Sequence, residues 1–190
     1  MISSKRCYLC GTEGSGSGLS RLAGFDVCDG CLRGDLSARL RSFGISVEGD
    51  AREVSEQVHS SCGYGSAEIR TFFEISIAGT CPVQTELGLV LGRETVGGKL
   101  LKLFKREIQV GDPLFDEAIL VRCRGDEQAA RDLLADDNVQ SAIMELVGPE
   151  GRVTIEGNRI DVFTVHEDYS ALETCLVLSA CLLTRLSRTP

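Results

Sequence analysis

Apolar residues recur along this chain with two different periods, and each change of period marks an element boundary. From Arg70 to Gly79, Phe73, Ile75 and Ile77 alternate with Glu74, Ser76 and Ala78, the two-residue period of a half-buried strand. Glu86 to Leu91 reads as a second strand, apolar on both faces, and the Thr80–Cys81–Pro82 turn predicts that the two pair antiparallel. Gly111–Asp112–Pro113 turns the chain again, and Ile119 and Val121 alternate in a further strand. Asp126 is placed to cap a helix carrying Ala129, Ala130, Leu133 and Leu134. Asp137 with Gln140 resembles a capping box for a second helix, bearing Ile143, Leu146 and Val147, which Gly148–Pro149 stops. Val153 and Ile155, then Gly157–Asn158, then Ile160 and Val162 predict a β-hairpin. A helix from about Tyr169 to Leu186, opened by Asp168, closes the chain and is apolar almost all round. Such a helix is either central or pairs one face with another copy. Central burial is the expectation, with a homo-oligomer as the alternative.

The N-terminal segment follows a different logic. Cys7 and Cys10 form one C-x2-C pair and Cys28 and Cys31 another, seventeen residues apart. Two residues between thiolates let one tight turn aim both sulfurs at one ion, and two such turns complete a tetrahedral four-sulfur shell. Gly11 suits the sharp reversal after Cys10, Gly14 to Gly18 a hairpin tip, and Ala23 to Val27 a returning strand. Cys28 then opens a predicted helix with Leu32, Leu36 and Leu40 on one face. Knuckle, hairpin and a second pair at a helix start resemble a treble-clef or zinc-ribbon module over residues 5–42. Zn2+ held by Cys7, Cys10, Cys28 and Cys31 is the expectation. Four cysteines leave no open coordination position, so the metal is expected to be structural.

The fold class that follows is α+β: a small four-cysteine zinc module followed by an antiparallel-sheet domain with packed helices. The expected divisions are a zinc-binding module at 1–43, a connector at 44–66 and an α+β domain at 67–190. Gly44, Gly49 and the mixed-charge run EGDAREVSEQ suggest the connector, and Val54 and Val58, one helical turn apart, allow a short helix in it. Residues 108–187 resemble an uncharacterised bacterial α+β domain family. The resemblance rests on a strand ending in GDPLFD, a further strand, GDEQAARDLL, a second helix, the VTIEGNRIDV hairpin and a closing helix. It implies a small domain often attached to other modules and assigns no catalytic residue.

Charge narrows the function. The chain of 190 residues carries a net charge of −8, which disfavours a general nucleic-acid role, because phosphate contacts need clustered cations. A nucleic-acid-binding module would use Arg33, Arg39 and Arg41 on the first helix. The N-terminus has no apolar signal region, and nine cysteines suit a reducing, cytoplasmic setting. The most apolar run, Cys175 to Leu183, is too short to span a membrane.

Searching for an active site returns little. Gly92 to Lys99 fails as a phosphate loop, because Arg93 stands where the first glycine is needed and Leu100 where Ser or Thr is needed. Lys99, Lys102 and Arg106 could form a short basic face for a membrane surface or an acidic partner. His59 and Cys62 fall in a Gly-Ser loop. A Cys-dependent hydrolase would pair Cys62, Cys123, Cys175 or Cys181 with His166. The reading that remains is a non-catalytic adaptor or regulatory protein whose partner is another protein.

Overall fold

Alternating apolar positions assemble six strands of this chain into one large antiparallel sheet. The computed structural model describes residues 5–14, 18–59, 67–93 and 108–188. The N-terminal elements are β1 (Lys5–Arg6), β2 (Glu13–Gly14), β3 (Leu19–Leu22), β4 (Phe25–Cys28), α1 (Asp29–Leu32) and α2 (Leu36–Arg41). Then come β5 (Ser46–His59), β6 (Ala67–Thr80), β7 (Gly88–Arg93), α3 (Pro113–Ala118), β8 (Ile119–Cys123), α4 (Glu127–Leu134) and α5 (Asp137–Val147). The β9 (Arg152–Glu156) and β10 (Arg159–His166) hairpin and α6 (Ala171–Leu186) complete the described chain. The molecule is α+β, with antiparallel sheets and, among the described residues, six helices.

The six-stranded sheet runs β5-β6-β10-β9-β7-β8, with every neighbouring pair antiparallel. One face carries the alternating apolar set, including Ile75, Ile77, Leu89, Leu91, Val153, Ile155, Ile160 and Val162, all buried. Helices α5 and α6 cover that face. Among the described residues no helix packs on the opposite face, where Glu48, Asp50, Ser76, Ala78 and Arg152 are exposed, an arrangement open to antiparallel sheets but not to parallel ones. Helix α6 touches β5, β6 and β10, and α1 packs against it as well. Its buried residues include Cys175, every position from Val177 to Thr184, and Leu186. The all-round apolar sequence therefore matches central burial.

Four expectations change. Residues 46–59, expected within a connector with a short helix at Val54 and Val58, form β5 and pair with β6 from Ser46↔Thr80 to His59↔Ala67. Glu48, Asp50 and Arg52 fall on its solvent face, so a strand open to water on one side carries the charge of a linker. The strands expected at 70–79 and 86–91 do exist as β6 and β7, but they do not pair. The β9–β10 hairpin lies between them, and the 81–87 segment wraps its turn. Cys81 N–H donates to Asn158 O (2.9 Å), Gly157 N–H to Leu87 O (2.9 Å), and the Thr85 hydroxyl to Gly157 O. Pro82, with no N–H of its own, fits a link that runs across strand ends instead of turning tightly back.

The helix carrying Leu32, Leu36 and Leu40 breaks in two at residues 33–35. A side chain on Gly34 would collide with Gly30 O, and Asp35 caps α2 by accepting from Ala38 N–H at 2.9 Å. Of the three leucines only Leu40 is fully buried. The capping box expected at Asp137 and Gln140 does not form, and the N-cap lies one residue earlier. Asp136, not Asp137, accepts from Asn138 N–H (3.0 Å), while the Gln140 amide is buried and donates to Leu134 O (2.8 Å). Asp126 caps α4 as expected, through Gln128 and Ala129 N–H. The loop around Cys62 (60–66), the failed phosphate loop beyond Arg93 and the basic stretch Lys99–Arg106 lie outside the described residues.

Candidate metal centre

Two local structures bring the four N-terminal cysteines together. The first is a knuckle closed by Gly11, whose N–H donates to Cys7 O (2.9 Å) at φ +71°, a conformation that suits glycine. Cys7 N–H donates in turn to Thr12 O at 2.9 Å. The second is the β3–β4 hairpin, with Leu22 opposite Phe25 and a two-residue turn whose residues, Ala23 and Gly24, both have positive φ. That turn type matches the twist of the strands it joins. It delivers Cys28 to the end of β4, where it is also the N-cap of α1, and sets Cys31 in the helix that follows.

The resulting geometry fits a metal ion. The four ligand sulfurs lie within 4.8 Å of one another. Cys7 Sγ is 3.8 Å from Cys31 Sγ, and Cys10 Sγ is 3.7 Å from Cys28 Sγ. A tetrahedron of metal–sulfur bonds about 2.3 Å long has edges of about 3.8 Å. None of the four is in a disulfide. Cys28 N–H points at Cys7 Sγ (3.4 Å). Burial raises the Cys10 thiol, but hydrogen bonds from Thr12 outweigh it, helped by Cys7 and Cys31, and leave it at about 6. Burial dominates at Cys28 and Cys31 and pushes both up.

One neighbour was not assigned to this site by sequence reasoning. Arg39 of α2, expected to be available for phosphate, has its guanidinium held further in the charged form by Cys31 foremost, then by Cys28 and Cys10. Gly30 makes room for it, since a Cβ there would lie 2.6 Å from Arg39 Nη2. A cation beside four thiolates offsets the net negative charge they give a divalent ion. The available signal was the glycine between Cys28 and Cys31, which reads as a close approach.

The segment is packed into the rest of the molecule. Leu9, Phe25, Val27, Cys7 and Cys31 belong to the same continuous apolar core as α6 and the sheet. Tyr8 packs against Phe25 with the rings tilted by 46° (4.5 Å between centroids), and the Arg188 guanidinium lies over the Tyr8 ring at 4.7 Å. Gly24 abuts the Asn138 side chain so closely that no Cβ would fit.

Among the other cysteine–histidine candidates, Cys175 Sγ lies 3.9 Å from His166 Nε2, which also contacts Thr164 Oγ1 at 3.3 Å. Cys175 is nevertheless buried, and burial, followed by the nearby Glu145, raises its thiol to about 11, so it is neutral near pH 7. Cys181 is buried within α6 and Cys123 is half-buried on β8. Asp112 and Asp116 of the GDPLFD stretch are occupied with backbone. Asp112 caps α3 through Leu114 and Phe115 N–H, and Asp116 accepts from Val110 and Gly111 N–H at 2.9 Å each. No helix among the described residues is long and apolar enough to cross a membrane.

No protein-family model, curated protein or solved structure matches this chain. The resemblance of residues 108–187 therefore rests on the sequence pattern alone.

Proposed function

We propose that this chain is a zinc-stabilised, non-catalytic binding protein, an adaptor or regulator whose partner is another protein. The observation that carries the reading is the packing of the four-thiol cluster. Two of its sulfur–sulfur distances match the edge of a zinc tetrathiolate, all four sulfurs lie within 4.8 Å of one another, and Cys7 and Cys31 are buried in the common core. Four-sulfur tetrahedral donors suit zinc or iron, and a closed shell suits a structural role. The knuckle, the hairpin and a ligand pair at a helix start support a treble-clef-like or zinc-ribbon-like description of residues 5–42. The metal then cross-links hairpins too small to bury a core of their own. The eight described cysteines are all free, which suits the reducing cytoplasm.

Native mass spectrometry with and without a chelator tests the metal, and one zinc per chain is expected. An iron adduct, or intact thiols with no metal, overturns the zinc assignment. The adaptor role is tested by quantitative co-purification on wild-type and Cys28→Ser baits. A protein enriched on the wild type and lost from the variant is expected, and identical profiles on both baits overturn the role.

A further inference from the structure

The open face of the sheet carries charges that its own molecule does not neutralise, and they are sorted by position. Register sets two rows across all six strands. One reads Arg122, Val90, Thr154, Asp161, Ala78, Glu48 from β8 to β5. The next reads Leu120, Gly92, Arg152, Phe163, Ser76, Asp50. Arg122 lies on β8 at one end, and with Arg93, Arg152 of β9 and Glu150 it lines a hollow of about 450 Å³ that carries three cations and one anion. At the β5 end, Glu48 and Asp50 border a second hollow of about 490 Å³, which reaches Phe163 and Arg152. Among the described residues Arg122, Arg152, Glu48 and Asp50 make no ion pair. The residues between them in each row are mostly small, and Phe163 is 38% exposed.

The first row is complementary to its own reverse at its ends; the second lays Arg152 over Phe163 and Gly92 over Ser76, with Asp50 over Leu120. A two-fold axis parallel to the strands, through the middle of the face, lays β8 over β5, β7 over β6 and β9 over β10. Arg122 then meets Glu48, Val90 meets Ala78, Gly92 meets Ser76, and Arg152 lies over the Phe163 ring. A two-fold axis across the strands would instead stack like charges. Only the first arrangement pairs cation with anion and aromatic ring, and it sets small residues where backbones must approach. We infer that the open sheet face docks on the same face of a second copy of this chain, in this head-over-tail register.

Stacked sheets sit about 10 Å apart and rotate by about 30°, so pairs near the axis align closely while Arg122 and Glu48 rely on side-chain reach. Six strands span about 29 Å, and such a footprint buries on the order of 1,000 Å² in total, the low end for a specific interface. The dimer should therefore dissociate on dilution and with salt. The inference is independent of the adaptor reading and of the metal's identity.

The test is sedimentation velocity of the metal-loaded full chain over a wide concentration range. Wild type is expected to show a monomer–dimer equilibrium, weakened roughly tenfold when salt rises from about 0.05 to about 0.5 M. The double variants Arg122→Glu/Arg152→Glu and Glu48→Arg/Asp50→Arg should each be monomeric alone and form a one-to-one dimer when mixed. Ala78→Trp, which blocks close approach without changing charge, should also be monomeric and supplies the test if a charge variant fails to fold. A monomeric wild type at every concentration, variants that dimerise as wild type does, or a mixture no more associated than its components would each overturn the proposal. The co-purification test of the adaptor role would stand untouched by any of these results.

Discussion

Residues 5–44 fold with strands of two and four residues and helices of four and six, whereas the sheet that follows uses strands of up to fourteen and is covered by helices of eleven and sixteen. The large side chains that the first region buries completely are few, Phe25 and Leu40 among them, and both face the body's core instead of forming one of their own. The body buries leucine, isoleucine or valine at most inward positions of five strands, and α5 and α6 add nine more such side chains among smaller buried residues. Short elements contribute little hydrophobic free energy, and four metal bonds can supply what they lack. The difference has a structural consequence. Because α1 of the first region packs on α6, a metal held by the four cysteines would indirectly help keep an otherwise apolar helix out of water.

The largest break in this comparison is removal of the metal. Chelation, or Cys28→Ser, should cost residues 5–44 folding free energy on the order of 10 kcal/mol, and acid should act the same way as protons displace metal from thiolates. Hydrogen exchange read by mass spectrometry should show lost protection through β1–β4, α1 and α2, some loosening of α6, and retained protection in β6, β9 and β10. Uniform loss across the whole chain would mean that the two regions are one cooperative unit, and the contrast drawn above would fail.

A change in the body should have the reverse pattern. Leu178 in α6 is fully buried, and Leu178→Ala should destabilise the molecule by about 2–5 kcal/mol through lost burial and the cavity left behind. Chemical denaturation would measure this, with metal content unchanged at neutral pH. Full metal loss from the folded variant would show that the core, not the ligand geometry, holds the site together.

The seam between the regions can be probed at Gly24. Its φ of +86° and its approach to Asn138 leave no room for a side chain. Gly24→Ala should cost about 1–3 kcal/mol, part of it from backbone conformation and part from collision. Adding Asn138→Ala should return the collision share, so the two substitutions should be non-additive in denaturation. Strict additivity would mean that Gly24 matters only for its turn.

The four-cysteine cluster was readable because the chemistry of a metal site fixes spacing. Two residues between thiols, a glycine after Cys10 and a second pair at a helix start are local features, and a local feature survives as a sequence pattern. The strands β6, β8, β9 and β10 were readable for a related reason, since burial on one face forces alternation. Strand order was not. Nothing local to residues 70–91 says that a hairpin seventy residues later will enter between β6 and β7, since partner choice is a long-range property. β5 was lost differently, because its solvent face carries Glu48, Asp50 and Arg52, which resemble linker chemistry. Arg39 was considered only with Arg33 and Arg41 as a group a nucleic-acid module would use, because helix spacing gives no sign of which exposed cation lies beside the cysteines.

The smallest expected effect concerns a motif that looks functional. In GDPLFD, Asp112 accepts from Leu114 and Phe115 N–H at 2.8 and 3.0 Å, capping α3, and Asp116 binds the preceding turn through Val110 and Gly111 N–H. Both carboxylates are thereby engaged in positioning Phe115, which is fully buried beneath β8 and α5. Asp112→Ala should cost about 1 kcal/mol, the usual loss for an N-cap, whereas Asp112→Asn, which keeps an acceptor oxygen, should cost a few tenths. Paired denaturation curves for the two variants decide the matter. Equal losses for Ala and Asn would mean that the charge, not the cap, is what residue 112 contributes, and the motif would then have to be read as something other than a device for closing the body's core.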